Sequence, residues 1–177
     1  MLTEQMLTKL AQVLFPSEEA QLYAILDGAS IPNLLSKLDE YQPECECLFA
    51  GELEPDMAEV APYLVSLQAD SPFTEWLLLE GWGKHWGIFT LSKTETPAMR
   101  NHLRKLVRVR DEQGKPLHFR FYDPRVLAKF LPTCNTQELV DFFGQITNFV
   151  AETENEQIAK SFSLSNSSLK EDKIFLT

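Results

Sequence analysis

The sequence predicts an α/β fold: a mixed β-sheet flanked by helices, followed by C-terminal helices and a flexible tail. Three observations lead there. Short apolar or alternating runs at residues 22–26, 63–68 and 86–91 interleave with segments whose apolar residues recur at helical spacing. Pro72, Pro97 and Pro124 each follow a side chain able to cap a helix (Ser71, Thr96, Asp123), which marks three helix starts. A chain of 177 residues fits one domain, large enough to bury ~70% of the surface its unfolded form exposes.

In chain order, Leu2, Met6, Leu10, Val13 and Leu14 share one face of a first helix. LYAIL at 22–26 is apolar on both faces, as a central buried strand requires. Ile31, Leu34, Leu35 and Leu38 fit a short amphipathic helix, Cys45 to Phe49 a short strand, and Glu54 to Ala58 a helical turn. Residues 63–68 alternate as a strand, 72–80 read as a helix, and 86–91 as another strand. Asp111-Glu112-Gln113-Gly114 is a hairpin turn, with Gly114 supplying a positive φ. The return strand over 117–122 sets Leu117, Phe119 and Phe121 against His118, Arg120 and Tyr122. Asn135 and Glu138 form a capping box, and Gly144 suits a helix stop. Residues 152–160 read as a polar helix, and the Ser-rich, charged stretch 161–173 as a flexible tail ending in an unusually apolar IFLT. The expected organisation is a domain over 1–150, with 124–150 as an optional small helical sub-lobe, and a partly disordered extension over 151–177.

The charge is uneven. The chain carries 16 Lys/Arg against 26 Asp/Glu, a formal net charge of −10. Residues 1–98 hold 4 basic and 16 acidic side chains, 99–134 hold 9 and 3, and 135–177 hold 3 and 7. One basic island therefore sits in an acidic protein. It either neutralises the chain's own acids or steers a partner with an acidic surface. The acidic balance disfavours nucleic acid. No apolar run approaches the ~18 residues of a membrane span. The first residues lack the basic start and small-residue cleavage site of a signal peptide, so a cytoplasmic location is expected. Three cysteines, Cys45, Cys47 and Cys134, suit a reducing compartment and act as small apolar fillers. No Cys/His pairs stand at zinc-ligand spacing, and no phosphate loop, HExxH or nucleophile elbow is present. No cofactor, metal or catalytic residue is expected.

Arg100, Arg104 and Arg108 follow at i, i+4 and i+8 on the helix near 97–108. They form either a solvated or internally paired face, or a contact surface for a partner's carboxylates. Arg120 and Arg125 extend the same basic island. Trp76 and Trp86 are read as core, while Trp82 is either core or an interface anchor. His102 flanks an apolar stripe, as a helix-packing histidine does. Asp123 before Pro124 is a ready helix cap, and Asp27-Gly28 is either a turn or a ligand position at a strand end.

The phrases YAILDGA (23–29), LFAG (48–51), APYLVSL (61–67), WGIFTLS (86–92), HLRKL (102–106) and FRFYDPRVLAKFLP (119–132) occur in that order. Together they resemble the adaptor/chaperone family of bacterial type VI secretion, first catalogued as a domain of unknown function. The resemblance covers roughly residues 20–150, and RFYDPRVL followed by FLP is its most specific part. FFGQI at 142–146 resembles the next element, with Gln145 where the family usually has proline. The resemblance implies a non-enzymatic role: binding an effector toxin in the cytoplasm and helping to load it onto the spike protein VgrG. Motif positions fall on Asp27, His102, Arg104, Arg120, Tyr122, Asp123 and Arg125. Two other functions compete. One is a small hydrolase or transferase using Asp27, His102 or Asp123 in a cleft; the other is an immunity-like protein that blocks a toxin.

Overall fold

The computed structural model describes all residues, 1–177. The helices are α1 (Glu4–Leu14), α2 (Leu34–Tyr41), α3 (Pro55–Val60), α4 (Pro72–Gly81), α5 (Thr96–Val107), α6 (Pro124–Phe130) and α7 (Thr136–Phe143). The strands are β1 (Gln21–Asp27), β2 (Cys45–Cys47), β3 (Pro62–Leu67), β4 (Gly87–Ser92), β5 (Arg108–Arg110), β6 (Pro116–His118), β7 (Ile146–Glu152), β8 (Ile158–Ser165) and β9 (Ser168–Phe175). Seven strands form one sheet in the order β2-β3-β1-β4-β7-β8-β9, while β5 and β6 pair by themselves.

Three layers result. Met6, Leu10 and Leu14 of α1, Leu34 and Leu38 of α2, and Phe73 and Leu77 of α4 pack on the sheet face that shows Leu22, Ala24 and Leu26 of β1. Met99 and Leu103 of α5, Leu127 of α6, and Leu139, Phe142 and Phe143 of α7 pack on the opposite face, against Tyr23 and Ile25. The α/β class and the flanking helices are as the sequence predicts. The sheet, however, is antiparallel throughout rather than mixed. The two-faced burial of β1 arises because helices cover both faces, and strand direction plays no part in that.

The end of the chain differs most. There is no polar helix at 152–160 and no disordered extension after 151. β7 continues the sheet from β4, and β8 and β9 form a hairpin at its far edge. Residues Asn166 and Ser167, with φ of 50° and 63°, adopt the positive-φ conformation of a two-residue type I′ turn. The apolar C-terminus docks: Leu176 is fully buried with the α1 side of the core, and its N–H donates to the Gln157 carbonyl at 2.8 Å. Nor does a helical sub-lobe fill 124–150, since β7 starts at Ile146.

Two of the three proline-marked starts lack their side-chain cap. Ser71 accepts no cap bond, and Thr96 lies inside α5 with Glu95 at the cap position. Asp123 does cap α6, and Asn135 with Glu138 closes a capping box on α7. The strand expected over 117–122 stops at His118. Phe119 keeps one ladder bond to Val107, and the chain then turns so that Phe121 and Tyr122 are both buried.

Candidate functional site

The acid at the end of β1 organises one corner of the molecule. Asp27 is 1% exposed. Its carboxylate accepts from the Ala29 N–H at 3.1 Å and the Ser30 hydroxyl at 2.7 Å, and it pairs with the Arg120 guanidinium across 93 residues of chain. The Asp27 carbonyl accepts from the Ser30 N–H at 2.9 Å, which closes the turn. Gly28 is required by proximity. Its N–H donates to the Ala61 carbonyl at 3.0 Å, and a Cβ here would run into that oxygen and lie 2.7 Å from the Glu59 carbonyl. The segment RFYDPR is thereby fastened to the end of β1, and the turn that follows β1 is fastened to Ala61, just before β3. Tyr122 beside it is buried. Its phenol is pushed up to about 12, chiefly by burial, with the Asp27 charge adding.

Asp123 performs two tasks within its own helix start. Oδ1 accepts from the Arg125 backbone N–H at 2.9 Å, which caps α6. The two carboxylate oxygens also take the Arg125 Nε at 3.0 Å and Nη2 at 2.7 Å, a bidentate pairing. Burial pushes Asp123 upward, but these Arg125 contacts outweigh it and leave its pKa below the ordinary 3.8. Pro124 is buried and starts the helix without needing an N–H partner.

The arginine row along α5 divides. Arg100 Nη1 donates to Glu46 at 3.2 Å, and Arg104 donates through Nε and Nη2 to the Cys47 carbonyl at 3.3 and 2.9 Å. Both therefore hold the edge strand β2. Arg108, one turn further, is exposed and free of ion pairs. The sequence treats the three as equivalent; the structure separates two fasteners from one open cation. Arg120 and Arg125, about half exposed at 50% and 55% of their side chains, are committed to Asp27 and Asp123.

Trp82 is not an accessible anchor. It is buried, stacks near Phe89, and donates its indole N–H to the Glu156 carbonyl at 2.9 Å. The residue it binds lies in the segment that reads as a polar helix, so nothing in the sequence points to this partner. His102 also has a structural partner. Its Nε2 donates to the Phe142 carbonyl at 2.8 Å, satisfying an acceptor near the end of α7. Gly144, at φ 52° and ψ −117°, passes so close that a Cβ would lie 2.7 Å from the ring. The acids Asp27 and Asp123 thus face arginines, and His102 serves α7; no acid–imidazole pair forms among the three.

One polar cluster has no clear signature in the sequence. Glu152 at the end of β7 is buried, and it accepts backbone N–H groups from Gly83 at 2.6 Å and His85 at 2.5 Å. The His85 Nδ1 lies 2.6 Å from the same carboxylate, outside hydrogen-bonding alignment. Burial pushes Glu152 above the usual carboxylate range, although both N–H groups and the imidazole act the other way. Gly83 at φ 86° and His85 at φ 58° make the concave backbone that receives the acid. The glycines of GWGKHWG are the available signal, but the acid lies 69 residues beyond Gly83. A cleft of about 280 Å³ opens there, with Arg125, Lys129 and Lys160 among its lining. Cys45 and Cys47 are free thiols that burial pushes up, and Cys134 is also free.

The geometry of Asp27, Arg120 and Asp123 can be set beside known proteins. Residues 22–141 match a family described as a domain of unknown function, DUF4123. The chain belongs to the DUF4123 family. No match is found among curated proteins, and none among solved structures. The DUF4123 segment runs from β1 into α7, so it contains the contiguous half-sheet β2-β3-β1-β4 and both ends of the Asp27–Arg120 pairing. Strands β7, β8 and β9 lie beyond it. No helix is long and apolar enough to cross a membrane.

Proposed function

We propose that this DUF4123 protein is a cytoplasmic adaptor of bacterial type VI secretion, binding an effector toxin and helping to load it onto the VgrG spike. The resemblance of RFYDPRVL and its companion phrases to that adaptor family supports the reading. The observation that carries it is the division of the charged side chains. The motif acids Asp27 and Asp123 are engaged by internal donors, so the signature builds a rigid frame. Of the exposed cations without an ion pair, Lys105, Arg108, Arg110 and Lys115 lie along the end of α5 and the β5–β6 hairpin, while Lys129 of α6 and Lys173 of β9 stand apart from them. A cationic ridge on a rigid frame suits recognition of acidic polypeptide surface.

Co-expression with the products of adjacent genes tests this. A stable complex containing a spike protein or a toxin is the expected outcome, and the bound toxin should retain its activity. Failure to capture either would overturn the reading, and loss of toxin activity in the complex would favour the immunity-like alternative.

A further inference from the structure

Between α5 and α6 the chain leaves the layered body as a β-arm. Of the eleven residues 108–118, all but Asp111 are exposed. Two short strands are marginal by themselves. This pair is held by its turn, where Asp111 Oδ1 accepts the Gln113 and Lys115 N–H groups at 2.9 and 2.8 Å. It rests on the body through the His118 ring, stacked on Phe49 at 4.3 Å.

The ladder fixes which backbone groups are free. The Phe119 N–H donates to the Val107 carbonyl at 2.8 Å, and the Asp111 N–H donates to the Lys115 carbonyl at 3.0 Å. The register pairs Arg108 with His118, Val109 with Leu117, and Arg110 with Pro116. Hydrogen-bonded pairs alternate along an antiparallel ladder, so Arg108 and Arg110 occupy non-hydrogen-bonded positions. Their N–H and C=O groups point outward from β5. The outer edge of β6 is blunted by Pro116, which has no N–H to offer. The long edge strand β9 is guarded differently, by the mixed charges of Lys170, Glu171, Asp172 and Lys173. The β5 edge carries neither proline nor acid.

Side chains add a pattern to that edge. Val109 and Leu117 form an exposed cross-strand apolar pair, 38% and 45% accessible. Alternation places Arg108 and Arg110 on the other face of the hairpin. Building on the adaptor reading, we propose that β5 is a docking edge for an extended segment of a partner polypeptide whose side chains alternate between acidic and apolar. The segment adds as a third strand, with its acids beside Arg108 and Arg110 and its apolar residues beside Val109.

The test uses the full chain and a labelled seven-residue peptide alternating Glu and Val, with a Lys/Val peptide as control. The Glu/Val peptide is expected to bind, to slow hydrogen exchange at the amides of Arg108 and Arg110, and to weaken with added salt. The double variant Arg108→Glu/Arg110→Glu should bind it about tenfold more weakly or worse. A second variant, Arg110→Pro, is read against Arg110→Ala: both lose the bond from Arg110 Nη1 to the Gly114 carbonyl at 2.8 Å, but only the proline also removes an outward N–H that no ladder bond uses. The proline variant should bind more weakly than the alanine variant, with the thermal melts of the two alike. Absence of binding, equal binding of the Lys/Val peptide, or protection at β9 instead would overturn the proposal. The adaptor reading fails separately: if the wild-type chain captures spike or toxin and both arm variants capture it equally well, only the arm assignment is lost.

Discussion

Replacing Asp27 by alanine should destabilise the protein by ~3 kcal/mol, and the figure follows from its partners. The carboxylate is 1% exposed and accepts from the Ala29 N–H and the Ser30 hydroxyl. Ala29 is exposed and Ser30 half-buried, so each donor left without its acceptor costs ~1 kcal/mol, the lower end of the usual span for such groups. The Arg120 side chain is half exposed, so water takes over much of its solvation; its lost ion pair adds up to ~1 kcal/mol. For a domain of this size the total corresponds to a melting temperature lower by ~6–12 °C. Asp27→Asn keeps the shape and one acceptor but turns a donor toward the guanidinium, and should lose ~1.5–2 kcal/mol. Urea unfolding of wild type, both single variants, Arg120→Leu and the double variant Asp27→Asn/Arg120→Leu measures the pairing directly. The double variant should lose less than the sum of its parts. If Asp27→Ala costs under ~1 kcal/mol, the corner formed by β1, β3 and RFYDPR does not depend on this acid, and the frame argument fails.

Two further outcomes are expected. Asp123 has a folded pKa below its ordinary 3.8, so its contribution is fully present above that value and is lost as pH falls through the lower folded value. Asp123→Asn should therefore flatten the acid limb of a stability–pH curve, and an unchanged limb would remove Arg125 as the cause. Ending the chain after Asn155 deletes β8 and β9 and with them the buried Ala159, Phe162 and Leu176. The loss should exceed ~5 kcal/mol, comparable to the stability of a whole domain. Cooperative melting of the shortened chain near the full-length temperature would show that the hairpin is an appendage.

How far the sequence can be read depends on the range of the interactions involved. Several local signals held: the alternating run lies in β3 as far as Leu67, the apolar run at 22–26 lies in β1, and Asn135 with Glu138 caps α7. Each is decided by residues a few positions apart. The tail failed because its strand character depends on a distant neighbour. β8 presents Ala159 and Phe162 to the core only because β7 lies beside it, and β9 is nearly all exposed, so neither shows a strong apolar pattern. Asn166-Ser167 reads as a disordered polar stretch unless two strands are already in place to demand a tight turn. The charged site shows the same limit. Arg120 and Arg125 look alike in the sequence, but one reaches back 93 residues to β1 and the other closes on its own helix start.

The boundary of the DUF4123 match gains physical meaning from the sheet. Residues 22–141 hold β1 to β4, yet the outer edge of β4 is paired by β7, which begins at Ile146. Phe142 and Phe143 of α7 pack on Phe149 of β7 at ring separations of 5.3 and 5.0 Å. Glu152 fastens the 83–85 loop from the same strand. In this chain the matched segment, even when carried on to the end of α7 at Phe143, would therefore present an open edge and an uncovered aromatic face if it stood by itself. The C-terminal strands close both, and their hairpin returns the chain end to α1, where the Lys9 ammonium meets the Thr177 carbonyl. That closure leaves the short β5 edge, held away from the sheet on its own arm, as the accessible strand edge carrying neither a proline nor an acid.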